Sequence, residues 1–462
     1  MSERHRVPYS DVLDLVGWTP LVRLTRVTEG IRTPVYGKCE FMNPGGSVKD
    51  RIGRAMVEDA EARGALRPGG TIVEATSGNT GVALAMAAVA KGYRCVFTMP
   101  DKMSQEKVRL LRAFGAEVVI TPTAVPPDHP EHYLQKAKSI AESTPGAVLA
   151  DQFHNPANPR AHYETTGPEL WAQSEGRITH MVAGAGTGGT ITGAGRYLKE
   201  KNPRIQILGV DPKGSVIGPF FHTGVLPKGE PYQVEGLGND KIPDPLDLGL
   251  VDDYVTVTDR DAFVMARRLT REEGLFVGGS SGLIVHAALE LARSLDDPDA
   301  FIVSFLCDWG EHYLSKLYDD EWMRSNGYFA TERRTVAELM GSKEREGPAV
   351  VSAKPTTSVR MALSTLAAHD VSQLPVLLAG ECVGSVDEGE LMAKVLEDPS
   401  LLDAPVESVM EPPFPVVDGY LAVDRLLPLL TRGNAAVLVR RGDEIEGIVT
   451  KYDLIRTLTA VK

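Results

Sequence analysis

At 462 residues the chain exceeds what one hydrophobic core usually organises, and its 43% apolar and 24% charged content is that of a globular protein. A formal charge of −13 and a pI near 5.4 exclude nucleic acid as the main partner, because phosphate binding needs a basic face. No apolar run is long enough to span a bilayer, and Met1-Ser2-Glu3-Arg4-His5-Arg6 leads into no signal core.

From about residue 18 to 306, short apolar runs alternate with amphipathic stretches. Strands are predicted at 71–75, 94–99, 117–121, 181–185, 205–211 and 300–306, with helices at 81–91, 104–114 and 189–201. This succession predicts an α/β fold with parallel sheets, which hold ligands at the carboxyl ends of their strands. The first domain is expected over 1–325 and a polar connector over 326–334. Beyond it the chain repeats itself: Val336-Ala337-Glu338-Leu339-Met340 is echoed by Val406-Glu407-Ser408-Val409-Met410. Gly384-Ser385-Val386-Asp387 is likewise echoed by Gly447-Ile448-Val449-Thr450. Two domains, 335–397 and 398–462, are expected, each read as strand, helix, strand, strand, helix. The four cysteines are far apart and show no zinc spacing, so reduced thiols, no metal site and a cytoplasmic setting are expected.

Three small-residue loops carry the chemistry. In Asn43-Pro44-Gly45-Gly46-Ser47-Val48-Lys49-Asp50-Arg51, the glycines permit close approach or positive φ. Lys49 at a helix start has its ammonium form disfavoured by the dipole, which suits an amine that bonds a carbonyl carbon. Thr76-Ser77-Gly78-Asn79-Thr80-Gly81 follows a strand and opens a helix, so its donors can grip a carboxylate. The third loop, Gly184-Ala185-Gly186-Thr187-Gly188-Gly189-Thr190, permits two readings. As G-x-G-x-x-G with Asp211 following by about 20 residues, it fits a dinucleotide site. With Thr187 and Thr190 as extra donors it fits one compact phosphate, and only this reading gives Lys49 and the 76–81 loop a task.

These motifs, with Gly17-Trp18-Thr19-Pro20-Leu21, Lys102-Met103-Ser104-Gln105-Glu106-Lys107 and Gly278-Gly279-Ser280-Ser281-Gly282, resemble the fold-type II pyridoxal-phosphate enzymes. The resemblance covers residues 10 to about 329 and is to the cystathionine β-synthases and cysteine synthases. It implies that Lys49 is the lysine joined to the cofactor and the general base. Asn79 would meet the ring hydroxyl, Ser280 the pyridine nitrogen, and Gly186, Thr187, Gly188, Gly189 and Thr190 the phosphate. Thr76, Ser77, Thr80 and Gln152 would hold the substrate carboxylate. A serine rather than an aspartate at the pyridine nitrogen favours β-elimination over transamination.

Val234-Glu235-Gly236-Leu237-Gly238-Asn239-Asp240 resembles the acidic loop of the cystathionine β-synthases, with Gly236 and Gly238 beside the substrate. The implied reaction joins L-serine to L-homocysteine. Phe153 and Asn239 stand where better-known cystathionine synthases have tyrosine, and Gln152-Phe153 matches the cysteine synthases. Cysteine synthase, using O-acetylserine or O-phosphoserine with sulfide, is therefore the alternative. The carboxy-terminal repeat resembles paired CBS domains that bind adenosyl ligands, a tail cysteine synthases usually lack. Thr450 and Asp453 would grip ribose hydroxyls, with S-adenosylmethionine as regulator; Asp387 and Glu390 replace them in the first copy. A homo-oligomer, dimer or tetramer, is expected. No haem is expected, since no cysteine precedes Cys39.

Overall fold

The computed structural model describes residues 8–76, 78–101, 103, 105–126, 128–329, 336–341, 350–419, 421, 423–426, 428–430, 435–441 and 444–459. The chain divides into two compact units, Met1–Phe329 and Ala330–Lys462.

The first unit holds two sheets. The larger runs Leu21–Arg23, Val35–Cys39, Ile302–Leu306, His180–Gly184, Gln206–Pro212, Asp253–Val257, antiparallel only at its first pair. The smaller runs Glu117–Thr121, Arg94–Pro100, Thr71–Ala75, Ala147–Leu149 and is wholly parallel. Thr71–Ala75 and Ile302–Leu306 are buried at every residue, as strands covered on both faces must be. The helix Gly279–Leu295 sits in the core of the larger sheet. The helices Lys49–Ala62 and Asn79–Lys91 share the core of the smaller one.

Two predicted boundaries move in ways that matter for function. The strand expected at 181–185 is His180–Gly184, so Ala185 already belongs to the glycine-rich loop that follows. The helix expected at 81–91 starts at Asn79, which places Asn79 and Thr80 in its first turn.

Beneath the Lys49 helix lies a buried ion network. Arg51 contacts Glu40 and Glu169 at 2.7 Å each, and Lys38 contacts Glu169 at 2.7 Å. Against the push of burial, Arg51 and Lys38 hold Glu40 down at about 2, so it stays charged. Residues 326–329, assigned to the connector by their polarity, carry two aromatic rings that pack on this unit. Phe329 lies under Arg267 at 5.0 Å, and Tyr328 meets Phe263 edge-on at 5.0 Å.

In the second unit, Gln373–Leu378 pairs with Glu381–Asp387, and Val416–Asp418, Ala436–Arg441 and Glu444–Thr450 form a three-stranded sheet. The opening strand expected in the first copy is reduced to a bridge between Ala353 and Val376. The second copy's first helix is described only as a turn, Val423–Arg425, with neighbours outside the described residues. The copies exchange their opening segments. Val336, Leu339 and Met340 are buried with Val437, Val439 and Val449, whereas Val406 is buried with Val359, Leu374 and Val376. The echo at 336–340 and 406–410 thus fills the other copy's core, while Val386 and Val449 of the second echo stay in their own.

Candidate active site

Lys49 is the first residue of its helix and is half-buried. Burial lowers its pKa, opposed by the nearby Cys307, Asp308 and Glu40. Desolvation therefore favours the neutral amine, in the same direction as the helix dipole expected from the sequence. The loop before it is shaped by both glycines. Gly46 has φ +82°, and a Cβ on Gly45 would lie 2.6 Å from the Asp50 carboxylate, which accepts the Gly45 N–H.

A cleft joins Lys49 to Gly186, Thr187, Gly188 and Thr190. The helix Gly189–Lys201 begins behind Gly188 at φ +83°; its Gly189 N–H reaches Thr187 Oγ1 at 3.5 Å, and with no side chain of Gly188 to cap it the following N–H groups are open to an anion. The two threonine hydroxyls are held from behind. Asn158 Nδ2 donates to Thr187 Oγ1 at 2.9 Å, and His162 Nε2 lies 3.1 Å from Thr190 Oγ1. Burial, with Arg51 near, pushes His162 down to about 3, so its ring is neutral. These side chains fit because the phosphate helix presents glycine to them: a Cβ on Gly189 would stand 1.8 Å from Asn158 Oδ1.

The 76–81 loop meets the same region from the smaller sheet. Thr76 and Thr80 are buried, and Thr80 Oγ1 donates to Gln152 Oε1 at 2.7 Å. Asn158 Nδ2 also donates to the Gln152 carbonyl at 2.9 Å, so one amide ties Gln152 to the 186–190 loop. Ser77 lies outside the described residues. Gln152 follows Asp151, whose φ of +53° is left-handed, and the Asp151 N–H is bound at 2.6 Å by buried Glu74. Asn79 does not cap its helix; its Nδ2 donates to Asp308 Oδ2 at 2.8 Å. Ser280 is buried in the first turn of its own helix, where its hydroxyl meets Cys307, another residue of the cleft wall.

The 234–240 loop closes onto this floor. Gly238 N–H donates to the Ala185 carbonyl at 2.9 Å and Asn239 Nδ2 to the Gly186 carbonyl at 2.7 Å. A Cβ on Gly186 would lie 2.2 Å from the Gly236 carbonyl oxygen. Glu235 is held by Lys107 and Lys316, each at 2.5 Å. Asn239 therefore spends its amide on the phosphate loop, and Phe153 carries Lys241 over its ring at 6.0 Å.

Residues 12–308 match the family model for pyridoxal-phosphate dependent enzymes, and 343–397 and 406–460 each match the CBS domain. A cystathionine β-synthase of Dictyostelium discoideum is 38% identical over 461 residues, spanning 97% of this chain and 92% of that protein. One from Saccharomyces cerevisiae is 41% identical over 423 residues, spanning 85% and 83%. The crystal structure of O-ureido-L-serine synthase superposes with a TM-score of 0.62 at 40% identity, covering 69% of this chain and all of that one. The chain belongs to the pyridoxal-phosphate dependent enzymes, alongside the cystathionine β-synthases.

Membership in that family makes it a pyridoxal-phosphate-dependent lyase, and the residues present fit the cofactor. A desolvated amine and a helix start facing one cleft match an aldehyde and a phosphate. The dinucleotide reading of the same glycines fails on Asp211. That carboxylate is completely buried and accepts from the Gly218 N–H at 3.0 Å and the Tyr254 hydroxyl at 3.3 Å, leaving nothing for a ribose. Asn158, His162, Glu74 and Asp308 were not singled out in the sequence. Each is an isolated polar residue whose role arises from packing against a distant loop, so no local spacing marks it.

In the second unit, Thr450 and Asp453 cap the last helix reciprocally: Asp453 Oδ2 accepts from Thr450 N at 2.7 Å and Oγ1 at 2.8 Å. Asp387 caps the corresponding helix of the first copy through Gly389 and Glu390. Among the described residues no helix is long and apolar enough to cross a membrane, and no group of His, Cys, Asp or Glu is placed to hold a metal ion.

Proposed function

We propose that the chain condenses L-serine with L-homocysteine, giving L-cystathionine and water by replacement at the serine β-carbon. The observation that carries this reading is the Lys49 amine sharing one cleft with the helix start at 186–190. Near-full-length similarity to proteins named cystathionine β-synthase supports it.

Lys49 would hold the cofactor's carbonyl carbon, Asn79 its ring oxygen, Ser280 its ring nitrogen, and Gly186, Thr187, Gly188, Gly189 and Thr190 its phosphate. When bound, the cofactor supplies an electron sink that acidifies the α-proton of an attached amino acid. Thr76, Ser77, Thr80 and Gln152 hold the α-carboxylate, which turns the α-proton toward Lys49. Desolvation favours the neutral form of the amine, so Lys49 takes that proton and returns it after the thiol of homocysteine has replaced the hydroxyl. Gly236 and Gly238 bring their loop close enough to exclude water, which would otherwise compete with the thiol.

A second reading, an activated serine ester with sulfide, is favoured by one observation. Neither Phe153 nor Asn239 brings a phenol to the site, and Asn239 is committed to Gly186. Comparing kcat/KM for serine with homocysteine against O-acetylserine with sulfide separates the readings, and the first predicts the larger value for the serine pair. In Lys49→Ala, borohydride should fix no cofactor and turnover should fall by on the order of 10³. Near-normal turnover would overturn both readings.

Within the same proposal, S-adenosylmethionine binds the second unit at Thr450 and Asp453, and the protein is a cytoplasmic homo-oligomer, dimer or tetramer. The CBS matches support an adenosyl ligand there. Calorimetric titration of the full chain checks it.

A further inference from the structure

Asp308 stands just beyond the carboxyl end of the central strand Ile302–Leu306 and is 2% exposed. Its Oδ2 accepts two hydrogen bonds, from Asn79 Nδ2 at 2.8 Å and from the Tyr313 hydroxyl at 2.6 Å. Its Oδ1 is buried without a hydrogen-bond partner and fills the space a side chain at 278 would need. A Cβ on Gly278 would lie 2.2 Å from that oxygen. The backbone is committed as well: the Asp308 carbonyl accepts the Gly278 N–H at 3.1 Å, and Asp308 bridges to Ser47. One step earlier, the Cys307 carbonyl accepts the Val48 N–H at 2.8 Å. The loop carrying Lys49 and the helix carrying Asn79 are thus registered against one residue.

We propose that Asp308 is a positioning residue that fixes the Asn79 amide, so that one N–H is spent on the carboxylate and the other is presented to the cofactor's ring oxygen. An asparagine amide has donors on one side and an acceptor on the other. With the carboxylate 2.8 Å from Nδ2, the flipped amide would set its carbonyl against buried Asp308, acceptor to acceptor. Asp308 thereby decides that Asn79 acts as a donor. Tyr313 holds the carboxylate in place, and Gly278 makes room for it. This inference rests on the reading of Asn79 as the partner of the ring oxygen.

The test is a double-mutant cycle in the full-length holoenzyme, read by the visible absorption band of the bound cofactor, by cofactor dissociation, and by melting of the cofactor-free protein. Asp308→Ala should shift the band as Asn79→Ala does and weaken cofactor binding by a similar factor, roughly tenfold for one lost charge-assisted hydrogen bond. The double variant should be no worse than either single, since both remove the same contact. Asp308→Asn, whose amide oxygen still accepts from Asn79, should recover the band. If Asp308→Ala does not fold, Asp308→Ser, too short to reach Asn79, takes its place in the cycle. Additive losses that track melting temperature would overturn the inference. So would a shifted Asn79→Ala band beside an unshifted Asp308→Ala band. A silent Asn79→Ala would overturn the reading of Asn79, and the inference with it.

Discussion

Two buried residues make quantitative claims on the site. A methyl at 189 would meet Asn158 Oδ1 at 1.8 Å, and both groups are fixed by neighbours, so neither yields cheaply. Gly189→Ala should destabilise the protein by about 1–3 kcal/mol, as overpacking does, and should weaken cofactor binding in the same variant. Denaturant midpoints and cofactor titration check the two effects separately. Glu74 gives a pH prediction. Burial raises it from 4.5 to about 8, against the hydrogen bonds it accepts from Asp151 and Gln152. The folded protein then holds this proton more tightly than the unfolded chain. Its contribution is fully present below pH 4.5 and lost as pH rises toward 8. Glu74→Gln should flatten the fall in melting temperature across that window, and an unchanged slope would contradict the assignment.

At the scale of elements, the active site is made where helix starts from both sheets converge. Ser47 Oγ accepts the Lys49 N–H at 3.2 Å, Thr187 Oγ1 accepts the Gly189 N–H at 3.5 Å, and Thr258 and Ser358 cap helices elsewhere, whereas the helices beginning at Asn79 and Gly279 have no side-chain cap. Leaving those N–H groups open is unfavourable until an anion takes them, which suits a ligand site. The Lys49 helix is anchored from below by Arg51. Removing that guanidinium strands Glu40 and Glu169 without their main partner in the interior. Arg51→Ala should therefore cost about 3–5 kcal/mol, measured by urea unfolding, and an effect below about 1 kcal/mol would show that water reaches the network.

For the molecule as a whole, each unit has its own buried clusters. Among the described residues, those of the first unit draw none from beyond Phe329, and those of the second none from before Val336. A chain ending at Phe329 should fold and keep turnover within a few-fold, while losing any response to S-adenosylmethionine. Failure of that chain to fold, or a persisting response, would contradict the division. Ending the chain at 325 instead should lower stability, because Tyr328 and Phe329 would be lost from the core they pack against.

By itself the sequence determined the α/β class, the repeat, the Lys49 loop and the two glycine-rich anion loops. Those signals are local: glycine beside hydroxyl residues at a strand-to-helix switch means the same thing wherever it folds. Tertiary structure decided between a dinucleotide and a single phosphate, by burying Asp211 beneath Tyr254 and the helix Ile217–Thr223. It also decided that desolvation tunes Lys49, that the repeat copies exchange their opening segments, and that Asn158, His162, Glu74 and Asp308 stand behind the site. Each depends on residues scores of positions apart meeting in a space closed to water, where an unpaired charge or amide is expensive and its partner dictates what it does.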